Sequence, residues 1–291
     1  MSQILSALLY NAEVVNFKNG TVSRSPLKRG CVPGLNCYSC PGAIASCPLG
    51  ALQNALAEGR VPFLAMGFVL LFAVMMARTV CGFFCPFGFF QELLYKIPSR
   101  KLPKTAFTRG LSLAKYGFLV VFALGMPLAA FFVQGYGAPF FCEFFCPAGT
   151  LEAGIPLVLA DSILAAAAGG LFIWKLCVLA AVLILSVFCF RPFCRFVCPL
   201  GALYGLFNRY AILGLKFDES ACVNCGACVK KCGMDTKTVN DRECIRCGKC
   251  AAGCPAKAIT VTLPGIRRSF IIFHRTFSLI QGKLKVWKGE K

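Results

Sequence analysis

The amino-acid sequence predicts an α-helical integral membrane protein of three or four spans that ends in a small α+β domain. Three observations carry this. Of 291 residues, 57% are hydrophobic and only 15% charged, with a mean hydropathy of +0.69, which excludes an ordinary soluble globule and a disordered chain. Three apolar runs approach the roughly 20 residues that a bilayer requires. Eight of the 20 cysteines fall between residues 222 and 254, in two runs of identical spacing.

In chain order, residues 1–61 are a cysteine-rich N-terminal segment. Its opening stretch SQILSALLYNAEVVNF is short and is interrupted by Asn11 and Glu13, so it reads either as a fourth span or as an interfacial helix. It lacks the basic and apolar regions of a signal peptide, so insertion is expected to rest on the spans themselves. Residues 62–215 form the membrane core, with apolar runs at 62–80, 114–134 and 171–190. The first is uncharged until Arg78, and in the third Lys175 is close enough to one end to snorkel. The stretch 155–170, broken by Asp161, is expected as a short helix at the membrane surface. Residues 216–263 make the C-terminal domain. Residues 264–291, with His274, read as a basic amphipathic tail, lying on the cytoplasmic membrane surface or packed on that domain.

Basic loops are retained on the cytoplasmic side. Lys96, Arg100, Lys101, Lys104 and Arg109 follow the first run, whereas residues 135–170 hold Glu143, Glu152 and Asp161 and no Lys or Arg. Residues 81–112 and everything beyond Arg191 are therefore expected inside, and 135–170 outside. By parity 1–61 also lie outside.

The cysteines come in short clusters, as metal ligands do, and the single His lies far from all of them. All-thiolate iron–sulfur ligation is favoured over a mixed zinc site. Cys222, Cys225, Cys228 and Cys232, then Cys244, Cys247, Cys250 and Cys254 followed by Pro255, reproduce the bacterial two-cluster 4Fe-4S ferredoxin spacing. There the fourth cysteine of each run ligates the other cluster. Cys222, Cys225, Cys228 and Cys254 are thus expected to hold one 4Fe-4S cluster, and Cys244, Cys247, Cys250 and Cys232 the second. Gly233 replaces the usual Pro after Cys232, and glycine is expected to take the turn.

A second pattern, Cys-Pro-x-Gly-x-apolar, occurs four times, as CPLGAL from Cys47, CPFGFF from Cys85, CPAGTL from Cys146 and CPLGAL from Cys198. Proline suits the first helical position, so each of these cysteines is expected at a helix N-cap, where free amides and the helix dipole face an anionic cluster. Three of the four have another cysteine four residues upstream. Cys81 and Cys85 share a predicted side with Cys194 and Cys198, and the two pairs are expected to hold one shared 4Fe-4S cluster at the cytoplasmic membrane boundary. On the other side Cys31, Cys37, Cys40, Cys47, Cys142 and Cys146 supply six thiols. Either the N-terminal four are self-contained, or the 142/146 pair completes a cluster with two of them and the other two are free or a disulfide. Cys177 and Cys189, inside the third run, are expected as small apolar packers. Four clusters in all are expected.

The stretches CGFFCPFGFFQELLYKIP, FCEFFCPAGTLEAGIP and RPFCRFVCPLGALYGLFNR, followed by the double cysteine run, resemble the membrane polyferredoxins. That family includes the quinol-dehydrogenase subunit of periplasmic nitrate reductase and the membrane half of the nitrous-oxide-reductase regulator. The resemblance spans about residues 62–263. CVPGLNCYSCPGAIASCPLGALQ resembles a subfamily of anaerobes associated with membrane flavoproteins, and implies that any flavin belongs to a partner. The resemblance implies electron transfer across or along the cell (inner) membrane, as a subunit of an oxidoreductase complex without a substrate site of its own.

Three functions follow as expectations. The first is a relay from an acidic cytoplasmic donor such as ferredoxin or flavodoxin to a membrane flavoprotein or extracytoplasmic reductase. The second is a quinol-oxidising subunit of a respiratory complex. The third is an iron–sulfur redox sensor or assembly factor. No phosphate-binding loop, haem-binding His pair or hydrolytic Ser/His/Asp set is recognisable. The formal charge of +19 is uneven: residues 191–291 hold 18 of the 31 Lys and Arg but 6 of the 12 Asp and Glu. It is assigned to cytoplasmic retention, cluster charge, membrane lipid and an acidic donor, with no nucleic acid as a partner.

Overall fold

Proline decides where the helices of the core begin. Cys47, Cys85, Cys146 and Cys198 each take an extended backbone and are followed by proline at the first helical position. The helices so started in this computed structural model are Pro48–Ala57, Pro86–Tyr95, Pro147–Ala160 and Pro199–Leu206. The structure describes residues 2–23 and 26–262. The expected basic tail with His274 lies outside the described residues.

Among the described residues two helices are long and apolar enough to cross a membrane, Ala106–Gln134 with 29 residues and Gly170–Phe188 with 19. Both leave large apolar side chains uncovered: Phe132 and Val133 on the first, Ile173 and Ile184 on the second. The run at 62–80, expected as a span, is divided. Its helix Phe63–Met75 has 13 residues, about 20 Å at 1.5 Å per residue against a hydrocarbon core of about 30 Å. Two features end it early. Ala77 takes a left-handed φ of 44°, and the amides of Ile212 and Leu213 bond the carbonyls of Val74 and Met75 at 3.0 and 2.9 Å. Arg78 is then fully buried toward the C-terminal domain rather than placed at a membrane surface. The N-terminal helix Ser2–Tyr10 has nine residues, below span length. Asp161 breaks the 155–170 stretch as expected, accepting the Ile163 amide at 2.8 Å to cap the helix Ser162–Ala167.

Helix Pro48–Ala57 packs on Phe63–Met75 across the short connection 58–62. This hairpin returns the chain to the level of Cys47 just before it reaches Cys81. At the other end of the chain, strands β1 (Gly214–Phe217) and β2 (Ile259–Thr262) pair antiparallel, with Leu215 opposite Val261. Between them the short helices Ala227–Lys231 and Lys249–Ala252 pack together over Leu215, Cys244 and Ile259.

Buried ion pairs join this C-terminal unit to the helical core. Asp235 meets Arg195 at 2.8 Å and Arg109 at 3.1 Å. Glu243 meets Arg78 at 2.7 Å and also accepts from Lys115. Such pairs contribute little net stability once desolvation is counted, but breaking one strands its partner, so they fix the register of the two parts.

Candidate metal centres

Cys81, Cys85, Cys194 and Cys198 are all buried and line one pocket, with Leu35, Val80, Leu200 and Gly201 beside them. The N-cap geometry aims amides at sulfur: Gly88 N–H donates to Cys85 Sγ and Gly201 N–H to Cys198 Sγ, each at 3.4 Å. Two fully buried guanidinium groups flank the set. Arg191 donates to the Cys81 carbonyl and pairs with Glu92 at 3.0 Å, and Arg78 donates to the Cys194 carbonyl at 3.2 Å. Burial raises the thiols of Cys85 and Cys198, and on Cys194 Arg191 opposes the same effect. Metal binding at such a set releases protons and is stabilised by the two cations.

Four of the six remaining thiols share a second pocket. Cys37, Cys47, Cys142 and Cys146 line it with Leu35, Gly50 and Gly149. Gly149 packs directly against this set: a Cβ there would make ordinary contact with Cys37 Sγ at 3.5 Å and Cys146 Sγ at 3.9 Å. Glu152 accepts the Cys37 amide at 2.8 Å, and burial pushes its carboxyl up to about 7 and the Cys37 thiol up to about 12. Cys31 and Cys40 do not line this pocket, and Cys40 Sγ lies 3.4 Å from Asn11 Oδ1.

Two glutamines that the spacing argument passed over complete these sites. Gln53 donates through Nε2 to Cys142 Sγ at 3.3 Å and accepts the Phe141 amide at 3.0 Å. Gln91 donates to Cys194 Sγ at 3.2 Å and accepts the Phe193 amide at 3.1 Å. Both are fully buried. Each is the sixth residue after the cysteine of its motif, in CPLGALQ and CPFGFFQ, so the repeat extended by one residue contains the signal. In the other two motifs that position holds Glu152 and Tyr204, which bind the N-terminal segment instead, Tyr204 donating to the Pro33 carbonyl at 3.0 Å.

In the C-terminal unit Cys232, Cys244, Cys247 and Cys250 line one pocket, bordered also by Cys228 and Phe190. Cys225 is exposed, and Cys222, Cys228 and Cys254 are half-buried. Gly233 lies in a turn as expected, and packing also restricts the position: a Cβ there would meet the Phe190 ring at 2.7 Å. Of the two isolated cysteines, Cys189 is buried as expected, whereas Cys177 is exposed on the apolar outer face of its helix. Among the described residues no three His, Cys, Asp or Glu side chains are gathered tightly enough to hold a single ion. Four-thiolate sets not drawn tightly enough for a single ion fit a 4Fe-4S cluster better than tetrahedral zinc, whose sulfurs would converge to roughly 3.8 Å with 2.3 Å bonds.

The sets stand in series. Leu35 walls both the 81/85/194/198 space and the 37/47/142/146 space. Gly82, beside Cys81, is so close to the C-terminal unit that a Cβ would lie 2.6 Å from the Ile245 carbonyl oxygen, and Ile245 walls the third space. The charge balance assigned the first two sets to opposite membrane faces, yet a shared leucine cannot bridge a hydrocarbon layer of about 30 Å. The short helix Phe63–Met75 and its hairpin bring them together.

The comparisons with known proteins cover the segments that carry these cysteines. One 4Fe-4S binding domain family matches residues 58–105, 116–155 and 171–218, and a second matches 237–260. The chain is 30% identical to an uncharacterized protein of Methanocaldococcus jannaschii, over 77% of this chain and 89% of that one. It is 29% identical to the methylamine utilization ferredoxin-type protein MauN of Methylorubrum extorquens, over 64% of this chain and 59% of that one. It is 27% identical to the regulatory protein NosR of Stutzerimonas stutzeri, over 59% of this chain and 22% of that one. The chain spans about half the length of other relatives, 56% of one and 54% of another. No solved structure matches.

Proposed function

Because the chain belongs to the polyferredoxin family of iron–sulfur electron-transfer proteins, we propose that it is a multi-pass membrane relay between a cytoplasmic donor and a membrane or extracytoplasmic acceptor. Cys222, Cys225, Cys228 and Cys254 hold one 4Fe-4S cluster, and Cys232, Cys244, Cys247 and Cys250 a second. Cys81, Cys85, Cys194 and Cys198 hold a third, and Cys37, Cys47, Cys142 and Cys146 a fourth. A bound 4Fe-4S cluster supplies one-electron transfer. The chain's residues order the sites, exclude water from the inner ones and fix their separations.

The observation that carries this reading is the serial contact of the three pockets through Leu35 and through Gly82 with Ile245. The buried pairs of Asp235 and Glu243 support it by holding the C-terminal unit in that register. Exposed Lys230, Lys231, Lys237, Lys249 and Lys257, with exposed Val223 beside the outermost cysteines, support docking of an acidic donor there. The test is iron and sulfide analysis with EPR on anaerobically purified protein. About 16 iron atoms per chain and four reducible 4Fe-4S signals are expected. Fewer than three clusters per chain overturns the relay.

A further inference from the structure

We infer that Gln53 and Gln91 are a matched pair of positioning residues, each donating one side-chain N–H to a cysteine sulfur and raising the reduction potential of the cluster held in its own half of the core. The inference rests on the reading of the two core sets as cluster sites.

Orientation of the two amides is decided by chemistry. The Phe141 and Phe193 backbone N–H groups, at 3.0 and 3.1 Å, can only be met by the glutamine oxygen. That leaves Nε2, a donor with no acceptor capacity, facing Cys142 Sγ at 3.3 Å and Cys194 Sγ at 3.2 Å. Both side chains are fully buried, so water supplies no substitute donor, and the low local dielectric strengthens the bond. Reduction adds one electron to the cluster and thiolate set. An N–H aimed at a ligand sulfur therefore stabilises the reduced form more than the oxidised one, and hydrogen bonds to sulfur are an established determinant of potential.

The duplication makes the assignment specific. In both halves a Phe-Cys pair opens the partner motif, Phe141–Cys142 and Phe193–Cys194, and in both the same glutamine clasps the amide of one residue and the sulfur of the next. The equivalent positions Glu152 and Tyr204, lacking this partner arrangement, make no such bond to sulfur; they hold the Cys37 amide and the Pro33 carbonyl.

The experiment is an EPR-monitored redox titration of the intact, anaerobically purified protein and of Gln91→Glu and Gln53→Glu. A carboxylate keeps the acceptor for the phenylalanine amide and removes the N–H donor to sulfur but adds a charge, so the neutral Gln→Met variant is titrated beside it, and only a shift in the same direction in the neutral variant is assigned to the lost donor. In Gln91→Glu the oxidised-to-reduced ratio of one cluster, at fixed potential, is expected to rise about tenfold, which is about 59 mV for one electron. Iron content should hold, and the other signals should not move. Gln53→Glu is expected to shift a different signal. Should a Glu variant lose iron, the neutral variant alone decides. A potential that does not fall in the neutral variant, with iron retained, overturns the inference, as does loss of iron from both variants of a position. A wild-type protein lacking the core clusters would instead overturn the cluster reading itself.

Discussion

The rings of Phe141 and Phe193 meet with centroids 6.4 Å apart, and the backbone amide of each is held by a buried glutamine from the partner motif. The two halves of the core therefore touch through equivalent residues, and each half closes on itself. The motif of Cys47 pairs with that of Cys142 and Cys146, as the motif of Cys81 and Cys85 pairs with that of Cys194 and Cys198.

This pairing divides the six N-terminal and loop cysteines. Serine at Cys37, Cys47, Cys142 or Cys146 is expected to cost about four iron atoms per chain, one cluster. Serine at Cys31 or Cys40 is expected to leave iron content unchanged, since these thiols do not line that pocket. Iron analysis of the six purified variants decides the grouping.

Asp235→Asn removes the counter-charge of two arginines while keeping a side chain that tolerates the left-handed backbone there, φ 60°. With Arg195 nearly fully buried, a loss of roughly 3–5 kcal/mol in the docking of the C-terminal unit is expected. Limited proteolysis should then release that unit, with the helical core left intact.

Gly233→Ala drives a methyl group into the Phe190 ring, 2.7 Å from its nearest atom. Overpacking of this kind costs about 1–3 kcal/mol. The double variant with Phe190→Leu is expected to recover most of the loss, and thermal unfolding of the four proteins measures the coupling.

Removing iron with a chelator under reducing conditions is expected to affect the two parts unequally. The C-terminal unit has two four-residue strands and two helices of five and four residues, too little to fold without its metal. Helices Ala106–Gln134 and Gly170–Phe188 have a hydrogen-bonding network of their own. Protease sites between residues 216 and 262 should open on chelation, while helical circular dichroism falls only modestly.

The sequence made the N-caps and the paired cysteines at 81, 85, 194 and 198 readable, because proline spacing and short-range cysteine periods are local. It was incomplete in three places where a distant partner decides. Arg78 looked like the end of a span, but its partner Glu243 lies 165 residues away and the left-handed Ala77 turns the chain toward it. Gly233 takes the expected turn, but the ring of Phe190 packed on it is invisible in the local pattern. The six-thiol problem stayed open because Cys37 and Cys146 meet only through the fold. The glutamines lay one residue beyond the repeat as first delimited, and only their bonds to Cys142 and Cys194 give them meaning.

Leu35 lines both inner pockets, so a change in its volume resizes two compartments at once. In the relay proposed above, the gap that an electron crosses between the inner sites would be walled by this side chain rather than by a bilayer, and a substitution there could not be confined to one site.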